Sequence, residues 1–405
     1  MRRSLAAVML VLAAILGGCA TATVLPDGRI LFFDVISKIY DPATGRLANA
    51  SLPPNGRGLH TATLLQDGKV LIAGGTVDSK TVASAELYDP ATDTYQPTGS
   101  LAHKRAAHSA TRLNDGRVLI TGGGKVDSDP TSADTPTKIA PPEIYDPATG
   151  TFGPAAEMAT PRILHTATLL NDGRVLVTGG IGEPKKKGGD GQVLASAELY
   201  DPTTDSWSPT GDMSTPRGYH TATLLADGRV LIAGGLSNSG GLNKADATDP
   251  APTSAEIYDP ASGTFGPAGT LVADRLGHSA TLLPDGHVLL AGGYDRASKT
   301  QPFSVSAELF DPATGTSTAT GAMTTGLAFH AAAMTPDGRV ILAGLPYAAL
   351  QAGISQGAGN ANAIDLLSDA QVYDPATGLF SAVEVDPGVL PTPCPTRKDG
   401  SCKPK

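Results

Sequence analysis

Residues 220–235 read HTATLLADGRVLIAGG, and residues 254–269 read SAEIYDPASGTFGPAG. The first stretch places a short strand at Thr221 to Leu225, ending in Asp227-Gly228. Asp-Gly suits a tight hairpin, and the expectation is a type I′ turn, which needs positive φ at both central residues. Arg229 to Ala233 is the returning strand, an aliphatic and β-branched run suited to burial on both faces. Gly234-Gly235 ends it, where a side chain would obstruct a positive φ or a close neighbour. Ala255 to Tyr258 is a third strand. Asp259-Pro260-Ala261-Ser262-Gly263 then has turn chemistry throughout, Pro fixing φ and Gly accepting the left-handed region. Thr264-Phe265 opens a fourth strand.

The same unit recurs outward from this stretch. Its Asp-Gly stands at Gly28, Gly68, Gly116, Gly173, Gly228, Gly286 and Gly338, a mean spacing of about 52 residues. Tyr/Phe-Asp-Pro alternates with it at Asp41, Asp89, Asp146, Asp201, Asp259, Asp311 and Asp374. Two independent anchors, each present seven times, define a repeat protein. Four antiparallel strands repeated seven times predict an all-β, seven-bladed β-propeller. The 48 Gly and 32 Pro of the 405 residues fit a chain that turns this often, and 40% hydrophobic residues suffice for a sizeable core.

The unit resembles the kelch repeat, of the type in the central domain of galactose oxidase. The carrying residues are the diglycines at Gly74-Gly75, Gly122-Gly123, Gly179-Gly180, Gly234-Gly235 and Gly292-Gly293, with the Glu-(Leu/Ile)-(Tyr/Phe)-Asp-Pro strands beyond them. Tyr95, Phe152, Trp207, Phe265 and Phe380 supply the following aromatic. Blade 1 departs with Asp34-Val35 at the diglycine, blade 7 with Gly344-Leu345, and blade 6 has Thr316-Ser317 without the aromatic. The resemblance implies a propeller over residues 19–386, between a leader at 1–18 and a Pro- and Lys-rich tail at 387–405.

The leader reads MRRSLAAVMLVLAAILGGC. Arg2 and Arg3 form a positive start, and the apolar stretch from Leu5 to Leu16 is too short to span a bilayer but suits secretion. Leu16-Gly17-Gly18-Cys19 resembles the bacterial lipobox, which implies cleavage before Cys19 and a diacylglycerol on its thiol. Ala20 in the following position implies the outer membrane if the cell has two. The expected location is therefore the cell envelope. Export allows Cys394 and Cys402, in CPTRKDGSC, to form a small disulfide loop.

The formal charge is −9, and −11 once Arg2 and Arg3 are removed, so an acidic surface argues against nucleic acid as a partner. Within a blade, the Asp-Gly and Asp-Pro turns share one face, and the loops after the diglycine share the other with the links between blades. The turns are uniform, whereas the loops run from 1 residue in blade 1 to 25 in blade 7. Recognition is expected on the loop face. Candidates there are Tyr294 and, around the long blade 7 insertion, Tyr347, Asn360 and Asn362.

His60, His108, His165, His220, His278 and His330 each open a first strand, which favours one repeated structural role over a metal ring. Arg57, Arg105, Arg162, Arg217 and Arg275 sit three residues earlier. They are read either as ties between blades or as donors for an anionic ligand. No metal or cofactor is expected. Kelch relatives that oxidise alcohols use copper and a Tyr–Cys crosslink, and the blades contain no Cys. The reading from sequence is a non-catalytic, lipid-anchored propeller binding a protein or other envelope component. The alternatives are a sugar-active propeller resembling sialic-acid epimerases, and a glycan-binding lectin.

Overall fold

The computed structural model describes residues 21–385 apart from 35, 78–79, 126–137, 185–190, 238–251, 296–297, 299–301 and 349–366. These residues form seven blades of four antiparallel strands, one of which carries a fifth strand, with two further two-stranded ribbons. Blade 5 runs outward from the axis as Thr221–Leu224, Val230–Ala233, Ser254–Asp259 and Thr264–Thr270. The innermost strands touch one another in order, and Thr21–Val24 of blade 1 touches Ala331–Met334 of blade 7. The ring is thus closed, and the predicted seven-bladed, all-β propeller is the fold.

Second strands carry the core. Val70–Ala73, Val175–Thr178 and Val230–Ala233 are buried along their whole length, because each sheet is covered on both faces by its neighbours. The core is therefore a ring of interblade clusters. Leu225, Leu231, Ala233 and Leu271 of blade 5 pack with Val288, Leu290 and Phe310 of blade 6. Each such aliphatic side chain contributes about 1.5–3 kcal/mol by burial. Outer-strand aromatics lie across from the third-strand tyrosines, as in Tyr200 and Trp207, whose rings are 5.0 Å apart.

The Asp-Gly hairpin differs from the expected type I′ turn. Gly228 has φ +87°, while Asp227 is not in the left-handed region. Gly228 donates to the Leu225 carbonyl at 3.0 Å and Leu225 to the Arg229 carbonyl at 2.8 Å. This is a three-residue loop, a type I turn followed by a left-handed Gly. The Asp227 carboxylate fixes it by accepting from the Arg229 amide (3.0 Å) and its Nε (2.8 Å). The diglycine behaves as expected: Gly234 and Gly235 have φ +61° and +94°, and a Cβ on them would lie 2.6 Å from the Arg275 carbonyl and 2.7 Å from that of Gly218.

The two faces separate as the strand order requires. On the turn face, Arg29 and Arg117 in Asp-Gly turns donate to Pro90 and Pro202 in the Asp-Pro turns of the next blade. On the loop face, links pair with the loops after the diglycines, as in Gly58 with Thr76 and Gly218 with Leu236. One strand escaped the repeat pattern. Glu384–Val385 lies parallel to Arg46–Asn49, the outermost strand of blade 1, and so straps the end of the propeller to its beginning. Among the described residues no helix is long and apolar enough to cross a membrane.

Candidate functional site

The five repeated arginines are in the wall of the ring. Arg57, Arg105, Arg162 and Arg217 are 0% exposed and Arg275 1%. Arg162 donates to the carbonyls of Gly179 (2.9 Å) and Ser196 (2.7 Å), and to Glu198 Oε1 (2.9 Å). Arg57–Glu86, Arg105–Glu143, Arg217–Glu256 and Arg275–Glu308 are the same pair. Glu198 also accepts the amides of Ala159 and Thr160, clamping the link that enters its blade. Burial draws the Arg162 guanidinium down from its ordinary value, and Glu198 opposes this. The arginine's carbonyl meanwhile holds the preceding blade: Gly180 donates to Arg217 O at 2.7 Å. The expectation of donors for an anionic ligand is corrected, since every such guanidinium is enclosed and paired. Blade 7 uses an uncharged counterpart, with Leu327 at the arginine position and Gln371 accepting from the Thr324 amide at 2.8 Å.

The histidines tie blade to blade. Nε2 of His108, His278 and His330 meets the hydroxyl opening the preceding blade, Thr61 (3.0 Å), Thr221 (3.0 Å) and Ser279 (2.9 Å). His220 meets both Thr166 and Thr178, and His165 meets Thr121. Burial, with the nearby arginine second, lowers His60, His165 and His220 to about 3. These rings are neutral at ordinary pH. The chain of links stops between blades 7 and 1, where Ala331 replaces the hydroxyl and Ala20 the histidine.

The residue before each histidine has a different character. Leu59, Ala107, Leu164, Tyr219 and Phe329 have φ between +54° and +56°, and Gly277 has φ +64°. Their backbones hydrogen-bond around the axis: Ala107 to Leu59 (3.1 Å), Leu164 to Ala107 (3.3 Å), Tyr219 to Leu164 (3.2 Å) and Phe329 to Gly277 (2.7 Å). They form a mouth at the loop-face end of the axis. Left-handed backbone in such side chains costs about 1–3 kcal/mol each and persists only where the surroundings over-determine it. Phe329 leans over Gly277, where a Cβ would lie 2.6 Å from its ring, and meets Tyr219 edge-on at 5.8 Å. Beneath them lies a cluster separate from the interblade cores, with Ile163, Ile181, Leu236 and Leu276 buried in it. Tyr294 packs on the same cluster and neighbours Phe303 at 6.3 Å, which neighbours Tyr347 at 5.4 Å.

The structure thus brings together two residues expected at the site, Tyr294 and Tyr347, through Phe303. Sequence reasoning missed Tyr219, Phe303 and Phe329. The signal was present: the position before the repeated histidine is variable, reading Leu, Ala, Leu, Tyr, Gly, Phe. Cys19, Asn360, Asn362, Cys394 and Cys402 lie outside the described residues. An open groove of about 390 Å³ lies away from the mouth, lined by Asp259, Ser262 and Thr264 of blade 5 and by Thr314 and Gly315 of blade 6.

Residues 164–214 match the Kelch motif family. A galactose oxidase of Gibberella zeae is 30% identical over 133 residues, 32% of this chain and 17% of that protein. Beta-scruin of Limulus polyphemus is 29% identical over 127 residues, 31% of this chain and 13% of that protein. Kelch-like protein 7 of Rattus norvegicus is 36% identical over 59 residues, 15% of this chain and 10% of that protein. The matches therefore span about a sixth or less of these relatives' length. Among solved structures, a fungal alcohol oxidase of the AA5 family in complex with copper has a TM-score of 0.62 at 19% identity, covering 81% of this chain and 70% of that one. At that identity the likeness is one of fold.

These relatives correct the expectation of a non-enzyme. Chains similar to this one include a galactose oxidase, and a missing crosslink excludes one mechanism rather than catalysis. The described residues do not, however, fit a copper ion. Each repeated histidine spends Nε2 on a hydroxyl within the blade wall, and among the described residues no three His, Cys, Asp or Glu side chains gather as metal ligands.

Proposed function

We propose that this kelch-type propeller is anchored in the cell envelope through Cys19 and captures an envelope protein with its loop face. The observation that carries the reading is where the irregular aromatics fall. Apart from Phe32 and Phe33 in blade 1, each aromatic outside the two repeat positions is at or beside the mouth: Tyr219, Tyr294, Phe303, Phe329 and Tyr347. Aromatic side chains supply large contact area with little rotamer entropy to lose, and they dominate protein interfaces. Replacing Tyr294 and Tyr347 together by Ala should leave far-UV circular dichroism unchanged and reduce capture of the partner by at least tenfold in crosslinking pull-downs from intact cells. Undiminished capture would refute the assignment.

A second reading, action on a sugar or alcohol, is favoured by the similarity to galactose oxidase. The same aromatic wall would stack on a sugar ring, and lectin-like glycan recognition would use it in the same way. A glycan array, a mutarotation assay and an assay for peroxide release from galactose separate these from protein capture.

A further inference from the structure

The first described residue, Thr21, opens the innermost strand of blade 1. In the register of the repeat, Cys19-Ala20-Thr21 stands where Leu59-His60-Thr61 and Tyr219-His220-Thr221 stand in blades 2 and 5. Cys19 is thus the blade 1 counterpart of the mouth residues. From Cys19 to Thr21, two residues of chain reach at most about 7 Å. The other counterparts, Leu59, Ala107, Leu164, Tyr219, Gly277 and Phe329, carry no charge.

We infer that the mouth is a membrane seat. The propeller rests mouth-down on the leaflet that holds the lipid of Cys19, with Leu164, Tyr219 and Phe329 at the boundary between headgroups and acyl chains. The inference rests on the lipid-anchor reading and goes beyond it by fixing which surface meets the bilayer. Tether length supports it, because a linker this short leaves only the surface beside Thr21 within reach of the leaflet. Polarity supports it too. The opposite face carries an acidic turn in every blade, with pairs such as Asp27–Arg29, Asp172–Arg174 and Asp337–Arg339, and pressing those into lipid would strip charges of water. The mouth residues themselves carry no charge, the charges of this face, such as Lys125, Glu183 and Asp295, standing on the loops around them, and tyrosine and phenylalanine suit an interface that is apolar on one side and wet on the other. Tyr294, Phe303 and Tyr347 then stand at the rim, where a partner in the same membrane plane would meet them.

The test uses the full lipidated chain with Cys394→Ser and Cys402→Ser, carrying a single environment-sensitive fluorophore. The label is placed at Ala107→Cys in the mouth or at Ala261→Cys in a turn on the opposite face, with Leu164→Cys as a second mouth site should the first disturb folding. Vesicles of phosphatidylethanolamine and phosphatidylglycerol with brominated acyl chains serve as quencher. The expected result is quenching and a blue shift for the mouth labels and neither for Ala261→Cys. Intact mass reports the anchor separately. Lipid on Cys19 with mouth labels left in water overturns the seat alone, whereas an unmodified Cys19 overturns the anchor reading and the seat with it. Shielding of the mouth label by an added envelope protein, without quenching by lipid, also overturns the seat.

Discussion

Arg162 and Glu198 show what a buried ion pair does here. The guanidinium is wholly buried, so its charge is tolerable only because Glu198 and the carbonyls of Thr160, Gly179 and Ser196 surround it. Breaking such a pair from one side costs about 3–5 kcal/mol, whereas replacing both partners by neutral ones is far milder. Glu198→Gln alone should therefore lower stability by about that amount in denaturant titration. Arg162→Leu with Glu198→Gln, which copies Leu327 and Gln371 of blade 7, should recover most of the loss. A double variant as unstable as the single one would deny the pairing. That co-replacement was legible in the sequence, since blade 7 lacks arginine and glutamate together. The burial that turns these residues from donors into wall was not, because it depends on how neighbouring blades close over them. The histidines make a second prediction. Their pKa values, lowered to about 3 or 4 at four positions, lie below the unfolded value near 6.5. The unfolded chain therefore binds more protons as pH falls, so the stability is complete above pH 6.5 and is lost toward pH 3. Each histidine contributes a slope of up to about 1.4 kcal/mol per pH unit in that window. His165→Gln should flatten the slope by roughly that much, and an unchanged slope would contradict a neutral, buried ring.

The third strands of blades 2 to 7 show a choice made between neighbouring elements. The hydroxyls of Tyr145, Tyr258 and Tyr373 meet Thr98, Thr210 and Thr320 on the outer edge of the preceding blade, at 2.8–3.0 Å. Tyr88 and Tyr200 follow blades that have Ala50 and Ala155 there, and they donate instead to Asp93 and Asp205 of their own turns, both at 2.8 Å. Those aspartates occupy the left-handed position that other blades give to glycine, with φ +52° and +47°, a conformation Asp tolerates better than most. Blade 6 follows Ala268, has Gly315 in its turn, and replaces the tyrosine by Phe310, so no hydroxyl is left to satisfy. Asp205→Gly should cost about 1–2 kcal/mol by orphaning the Tyr200 hydroxyl, and adding Ala155→Thr should restore most of it; failure of the rescue would show that the hydroxyl is not what matters. The strap is a second test at this scale. Ending the chain before Glu384 removes the pairing on Arg46–Asn49 and should lower stability by about 1–2 kcal/mol. Amide exchange should quicken in the outer strand of blade 1 first. The strap was not legible because two residues carry no repeat signature, while the four-stranded unit was, because both of its turns repeat seven times.

At the scale of the molecule, the ring divides labour between its faces. Seven similar turns on one side leave little room for individuality, and their pairs of Asp with Arg, Lys or His and contacts to the next blade are spent on holding the circle. The loop face carries the irregular residues, a ring of left-handed side chains around the axis, and an apolar cluster that the repeat does not require. Blade number, strand order and the separation of faces could be read directly, because each follows from local turn chemistry repeated along the chain. The mouth could not, because Tyr219 and Phe329 are distant in sequence and meet only through the curvature of the closed ring and the missing side chain at Gly277. On the proposed function, the loop face is the one that binds. The most direct test is photo-crosslinking from intact cells, with a benzophenone amino acid placed either at Tyr347 on the loop face or at Ala261 on the turn face of the full chain. Capture of an envelope protein from Tyr347 and none from Ala261 is predicted; capture from Ala261 alone would contradict it.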